Sequence, residues 1–248
     1  MKSDGDELRR LTVDIRTRFV LSDAGRILLE NDPDRSAGPR LFIGGCPSGN
    51  QAHVRYDVSD RIANPMLHLL AAEPPWLMPA ARPLRFREVI ELLAEEQPIA
   101  SIEASLIYVL PPQQPAETAV RFICSGSDEG DALLEHFAKL GLPQHLVDAG
   151  FARIRDFWAP WCVALDADAI AAIAFAARLG ERGAEAGVYT FRGWRSRGLA
   201  AAVTAKWSSP PELASRELFY STTVANTSSQ RVAARLGLQH LAIGLSVT

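Results

Sequence analysis

Apolar residues along this chain come in two spacings. Recurrence every third or fourth position predicts an amphipathic helix; alternation, or a short unbroken run, predicts a strand. In the first half, Phe19-Val20-Leu21 and Arg26-Ile27-Leu28-Leu29 flank Ser22-Asp23-Ala24-Gly25, whose turn chemistry predicts a β-hairpin. Leu41-Phe42-Ile43 and His53-Val54-Arg55-Tyr56 flank a Gly-rich segment, Gly44 to Asn50, and predict a second hairpin. Helical spacing covers Ser59 to Ala72 and Leu84 to Glu95, with a Pro-rich loop between them, and Ser105 to Leu110 is a short apolar strand.

The second half alternates more regularly. Ala119 to Cys124 reads as a strand. Asp131 to Leu140 reads as a helix with Leu133, Leu134, Phe137 and Leu140 on one face and Gly141 as its stop. Pro143 to Ala149 reads as a short helix with Pro at its start. Trp161 to Leu165 and Ile170 to Ala177, joined by the acidic turn Asp166-Ala167-Asp168, predict an antiparallel pair. Glu185 to Thr190 is the next strand and Leu199 to Trp207 the next helix, ended by Pro210-Pro211. Leu218 to Thr222 is a strand, Asn226 caps a helix over 227–236 that Gly237 terminates, and Leu241 to Val247 is the last strand.

The polar, Pro-rich segment Leu110 to Pro115 resists helix and central strand alike. It suggests two regions: an α+β N-terminal domain over 1–117 and a second α/β domain over 118–248.

A chain of 248 residues with 48% hydrophobic and 22% charged residues has the composition of a globular protein able to bury a core. The net charge of −3 argues against nucleic acid or an anionic membrane as partner. Met1 to Glu7 is charged and shows no signal-peptide pattern, and the apolar run Ala169 to Ala177 is far short of a membrane span. The expected location is therefore cytoplasmic. Cys46, Cys124 and Cys162 are widely separated, with no CxxC or HExxH. They are expected to be small buried apolar residues, with no disulfide framework and no metal. The five histidines are scattered, and no Gly-x-Ser-x-Gly supports a hydrolase.

Candidate chemistry concentrates at Trp194-Arg195-Ser196-Arg197-Gly198-Leu199-Ala200, between a strand and a helix. The free N–H groups and dipole of a helix N-terminus favour an anion. Gly198 allows close backbone approach, and Arg195 and Arg197 offer charge-assisted bonds. Arg-x-x-Gly-x-Ala at such a junction resembles the pyrophosphate-binding loop of the GNAT (GCN5-related) N-acetyltransferases. Glu185 to Thr190 looks like that family's fourth strand. Asn226-Thr227-Ser228-Ser229, followed by Arg231 to Leu238, looks like its penultimate helix. The resemblance covers about Thr118 to Thr248.

It implies a mostly antiparallel mixed sheet flanked by helices, and acetyl-CoA as cosubstrate, with no metal. It implies that the backbone of Val188, Tyr189 and Thr190 binds the pantetheine arm. Arg195, Ser196, Arg197, Gly198, Leu199 and Ala200 would hold the pyrophosphate, with Asn226 and Ser229 near the thiol. Many members carry a Tyr acid on the penultimate helix; the matching position here is Ala233. Ser229 or Tyr220 would then serve as acid, and Glu185, on the fourth strand, as base. The activity implied is transfer of an acetyl group to a primary amine of a small molecule or peptide, by direct attack in a ternary complex. A CoA-binding module without transferase activity is the alternative. A degenerate second GNAT copy in the first half is a third reading, although no matching loop occurs there. A homodimer stays open.

Overall fold

A computed structural model describes residues 4–112 and 120–248. The predicted elements are present in order, with shifted ends. Helix α1 (Asp4–Arg18) runs into hairpin β1 (Phe19–Leu21) and β2 (Ile27–Glu30). Hairpin β3 (Leu41–Cys46) and β4 (Gly49–Val54) follows, then α2 (Asp60–Ala71), α3 (Phe86–Ala94) and β5 (Ile102–Leu110). Next come β6 (Arg121–Cys124), α4 (Asp128–Leu140), α5 (Gln144–Val147), β7 (Trp161–Asp166), β8 (Ala169–Leu179) and β9 (Gly183–Thr190). The chain closes with α6 (Leu199–Trp207), β10 (Glu217–Thr223), α7 (Thr227–Arg235) and β11 (Gln239–Val247).

Two differences have clear causes. The sequence pattern gives no element over 4–18, yet α1 is one of the best-buried helices. Its inward face interleaves Leu11, Val13 and Ile15 with Asp14, Thr17 and Arg18, all buried, so polar positions mask its apolar stripe. Gly44 and Gly45 continue β3 where a turn is expected. A Cβ on Gly44 would lie 2.9 Å from Leu11 Cδ1, and one on Gly45 2.3 Å from the Trp76 carbonyl. These glycines make room for neighbours within a strand.

The fold is mixed α/β, with a mostly antiparallel sheet, nine-stranded among the described residues, flanked by helices. The order is β4-β3-β11-β5-β10-β9-β8-β7-β6, alongside the two-stranded β1–β2 sheet. The expected division at 117/118 falls outside the described residues, and the sheet does not divide there. β5, from the first half, lies between β10 and β11, so both halves build one sheet. The parallel pair among the described strands of this sheet is β9–β10. One face packs on α2, α3 and α6 through two clusters, centred on Ile243 and Leu245 and on Ala172, Ala174 and Val203. The other packs on α1 beneath Ile107 and Phe219, and on α4 and α5 beneath Val163 and Ile173.

The cysteines depart from expectation. Cys46 is buried and free, but Cys124 and Cys162 face each other across β6–β7 and form a disulfide, with Cα atoms 4.0 Å apart. Wide separation in sequence does not prevent pairing when register makes two residues neighbours. Among the described residues no helix is long and apolar enough to cross a membrane, and no group of His, Cys, Asp and Glu is arranged to hold a metal.

Candidate active site

β9 and β10 pair from Gly183 with Glu217 to Ala186 with Tyr220 and then part, although β9 continues to Thr190 and β10 to Thr223. Beyond Ala186, β9 is bonded on its β8 side, through Val188, Tyr189 and Thr190, and no described strand pairs with its other edge. A cleft of about 510 Å³ opens at this divergence. Among its walls are five of the sequence-predicted site residues: Glu185, Val188, Tyr220, Asn226 and Ser229.

Tyr220 and Ser229, weighed separately from sequence, meet at the vertex. Tyr220 is 1% exposed, and its hydroxyl lies 2.7 Å from Ser229 Oγ. Burial pushes the phenol up, against the opposing hydrogen bond from Ser229, so it stays protonated at neutral pH. α7 presents Ser229 there because Asn226 caps the helix: its Oδ1 accepts from the Ser229 N–H at 3.0 Å. Ala233, at the position of the family's tyrosine, is buried in the core.

Glu185 does not fit the base role expected of it. It is 3% exposed, lies 2.9 Å from Arg178 and 3.4 Å from Arg18, and accepts from the Ser221 hydroxyl. Burial would raise its carboxyl, but Arg18, Arg178 and Ser221 outweigh burial and bring it down to about 2. Such an anion takes up a proton poorly near neutrality. It belongs to a buried network: Asp14 binds Arg18 at 2.7 Å, and Glu30 binds Arg178 at 2.6 Å. Burial raises the Asp14 carboxyl, only partly opposed by Arg18.

The Gly198 loop sits at the start of α6. Gly198 has φ +78° and Ser196 φ +63°, and no side chain caps the helix, leaving its first-turn N–H groups, including those of Leu199 and Ala200, for an external acceptor. Arg195 reaches back to the Thr190 carbonyl at 3.3 Å and lies over the Tyr189 ring. Tyr189 otherwise packs with Phe151 and Phe191. Arg197 is bound to Asp166 at 2.8 Å, and the Trp194 indole N–H donates to the same carboxylate. Its charge is thus neutralised where it lies.

Sequence reasoning missed Arg235 on α7. Its guanidinium would lie 2.7 Å from a Cβ on Gly198. It also missed Asp166, which holds Arg197 and Trp194 from the last position of β7. Arg235 sits one residue before the end of the predicted helix, where a basic residue also has the ordinary role of complementing the helix dipole. No local pattern separates the two.

No family model matches the chain, and no curated protein matches it. Among similar solved structures is an acetyltransferase from the GNAT family of Colwellia psychrerythraea, at 14% identity, covering 100% of this chain and 97% of that one, with a TM-score of 0.43. A GCN5-related N-acetyltransferase from Sphaerobacter thermophilus matches at 16% identity over 89% of this chain and 79% of its own, with a TM-score of 0.43. A GNAT-family acetyltransferase structure from Novosphingobium aromaticivorans matches at 16% identity, with a TM-score of 0.40. That match covers 60% of this chain, which spans 65% of the other. The first two matches extend well beyond the C-terminal half to which the sequence resemblance was confined.

Proposed function

We propose that this chain is an N-acetyltransferase that moves an acetyl group from acetyl-CoA to a primary amine by direct attack in a ternary complex. The observation that carries this reading is the open edge of β9 leading from the Gly198 loop to the Tyr220–Ser229 pair. The residues fit the cosubstrate. Gly198 leaves a cradle that a Cβ would fill, uncapped N–H groups and Arg235 suit a pyrophosphate, and Val188 to Thr190 offer backbone partners to an amide-bearing arm. When bound, acetyl-CoA supplies an acyl group already activated as a thioester. Alignment of amine and carbonyl in the cleft removes much of the remaining barrier. Tyr220 holds a proton at its hydroxyl, beside Ser229 Oγ, for the sulfur as the C–S bond breaks, and the proton that the amine nitrogen sheds on bonding the carbonyl carbon passes to solvent in the cleft. Asn226 fixes Ser229 and stands beside the same cleft. A soluble enzyme is the accompanying expectation; a cytoplasmic one would hold Cys124 and Cys162 as thiols.

Calorimetric titration with acetyl-CoA tests the cosubstrate. Gly198→Asp places a side chain at a left-handed position, against Arg235, and brings a negative charge to the anion site. Affinity is expected to fall at least ~10-fold, the equivalent of about 1.4 kcal/mol; unchanged affinity would remove the loop from the site. Tyr220→Phe is expected to lower kcat about 100-fold, the modest end of general acid catalysis, while acetyl-CoA binding is retained. Ala233 favours a second reading, a CoA-binding module without transfer. Tight acetyl-CoA binding without thiol release across a broad amine panel would decide for it.

A further inference from the structure

The cleft has two sides, and the one facing α1 has a chemistry of its own. α1 covers Ile107, Phe219 and Ala242 on this face of the sheet and stops short of the positions beyond them. By the period-two alternation of strands, Ser105 and Glu103 on β5, Ser221 and Thr223 on β10, and Ser246 on β11 share that face. All five line the cleft. Register sets Thr223 opposite Ser105 and Ser246 opposite Glu103. The result is a floor of four hydroxyls around one carboxylate, to which the first half of the chain contributes Ser105 and Glu103 through β5.

Charge decides what such a floor accepts. The cations on the wall, Arg18 and Arg178, are already committed to Asp14, Glu185 and Glu30. Glu103 is exposed to the cleft and has no ion-pair partner among the described residues. The unspent charge of this side is therefore negative, and hydroxyls can accept as well as donate.

Resting on the acetyl-transfer reading, we propose that the acceptor is a small cationic amine carrying a second ammonium group, and that Glu103 selects it by pairing with that distal charge. An amine with a distal carboxylate meets Glu103 with like charge and is excluded.

Two four-carbon probes separate these cases: putrescine, with a distal ammonium, and γ-aminobutyrate, with a distal carboxylate. Each is titrated into the full chain, alone and with saturating CoA, and each is assayed for thiol release from acetyl-CoA. Wild type is expected to prefer putrescine by at least about 10-fold, and Glu103→Lys to abolish or reverse that preference. Acetyl-CoA affinity should be unchanged in Glu103→Lys, which shows that the variant is folded. Putrescine binding that depends on Glu103 without any turnover would uphold the charge selection and overturn acetyl transfer. Turnover that ignores distal charge, or a preference that Glu103→Lys leaves in place, would overturn the selection and leave acetyl transfer standing. No charge-dependent response in either measurement would also overturn it.

Discussion

Glu185→Gln is expected to destabilise the protein by about 3–5 kcal/mol, because it leaves Arg18 and Arg178 buried with one fewer counter-charge. Chemical denaturation at neutral pH measures this. A base would behave differently: activity would vanish while the midpoint of unfolding stayed in place. The sign of the pH dependence follows from the same geometry. Glu185 titrates at about 2 in the folded protein against 4.5 for an ordinary glutamate. It thus contributes stability that is fully present above the unfolded value and is lost as pH falls through the folded one. Asp14 acts in the opposite sense. Its carboxyl is raised by burial, so the folded state holds its proton more tightly, and stability is lost as pH rises above its ordinary value. In Glu185→Gln the decline in stability between pH 4.5 and about 2 should flatten. An unchanged acid limb would count against the network as drawn.

Reduction of Cys124–Cys162 is the second large effect. The bond closes a loop with a sequence separation of 38, for which chain entropy gives about 4 kcal/mol. It ties the four-residue edge strand β6 to β7, and Cys162 and its neighbours Ala164 and Ala174 are fully buried. A reductant, or Cys124→Ser, should therefore lower the unfolding midpoint markedly, with first losses of protection at β6 and α4. Hydrogen exchange under reducing conditions would show where opening begins. A midpoint unmoved by reductant would mean that register and packing alone hold this edge.

The parts of the fold legible in sequence are those fixed by local physics. α4 announces itself by Leu133, Leu134 and Phe137 on one face and by Gly141, and α7 by the Asn226 cap, which the structure places on the Ser229 N–H. The Gly198 loop is legible for the same reason: a left-handed glycine before an uncapped helix is a local feature. Long-range pairing hid the rest. Asp14 and Arg18 look like solvated residues until Glu185 and Arg178 arrive from β9 and β8. Nothing beside Glu185 in the sequence shows that Arg18, Arg178 and Ser221 surround it. The Cys124–Cys162 bond needs the register of β6 on β7, and the Tyr220–Ser229 contact needs α7 folded back over β10.

The position of β5 has a consequence for biosynthesis. Val109 pairs with both Phe219 and Gln239, so the middle of the sheet joins a strand at 102–110 to two strands made more than a hundred residues later. While the ribosome is still making the second half, β5 waits with both edges unpaired, a state that invites association with other chains. The protein should consequently depend on holding chaperones until Val247 has left the exit tunnel. Cutting the gene near residue 117 should yield one insoluble fragment and one lacking its central strand, recoverable together by co-expression.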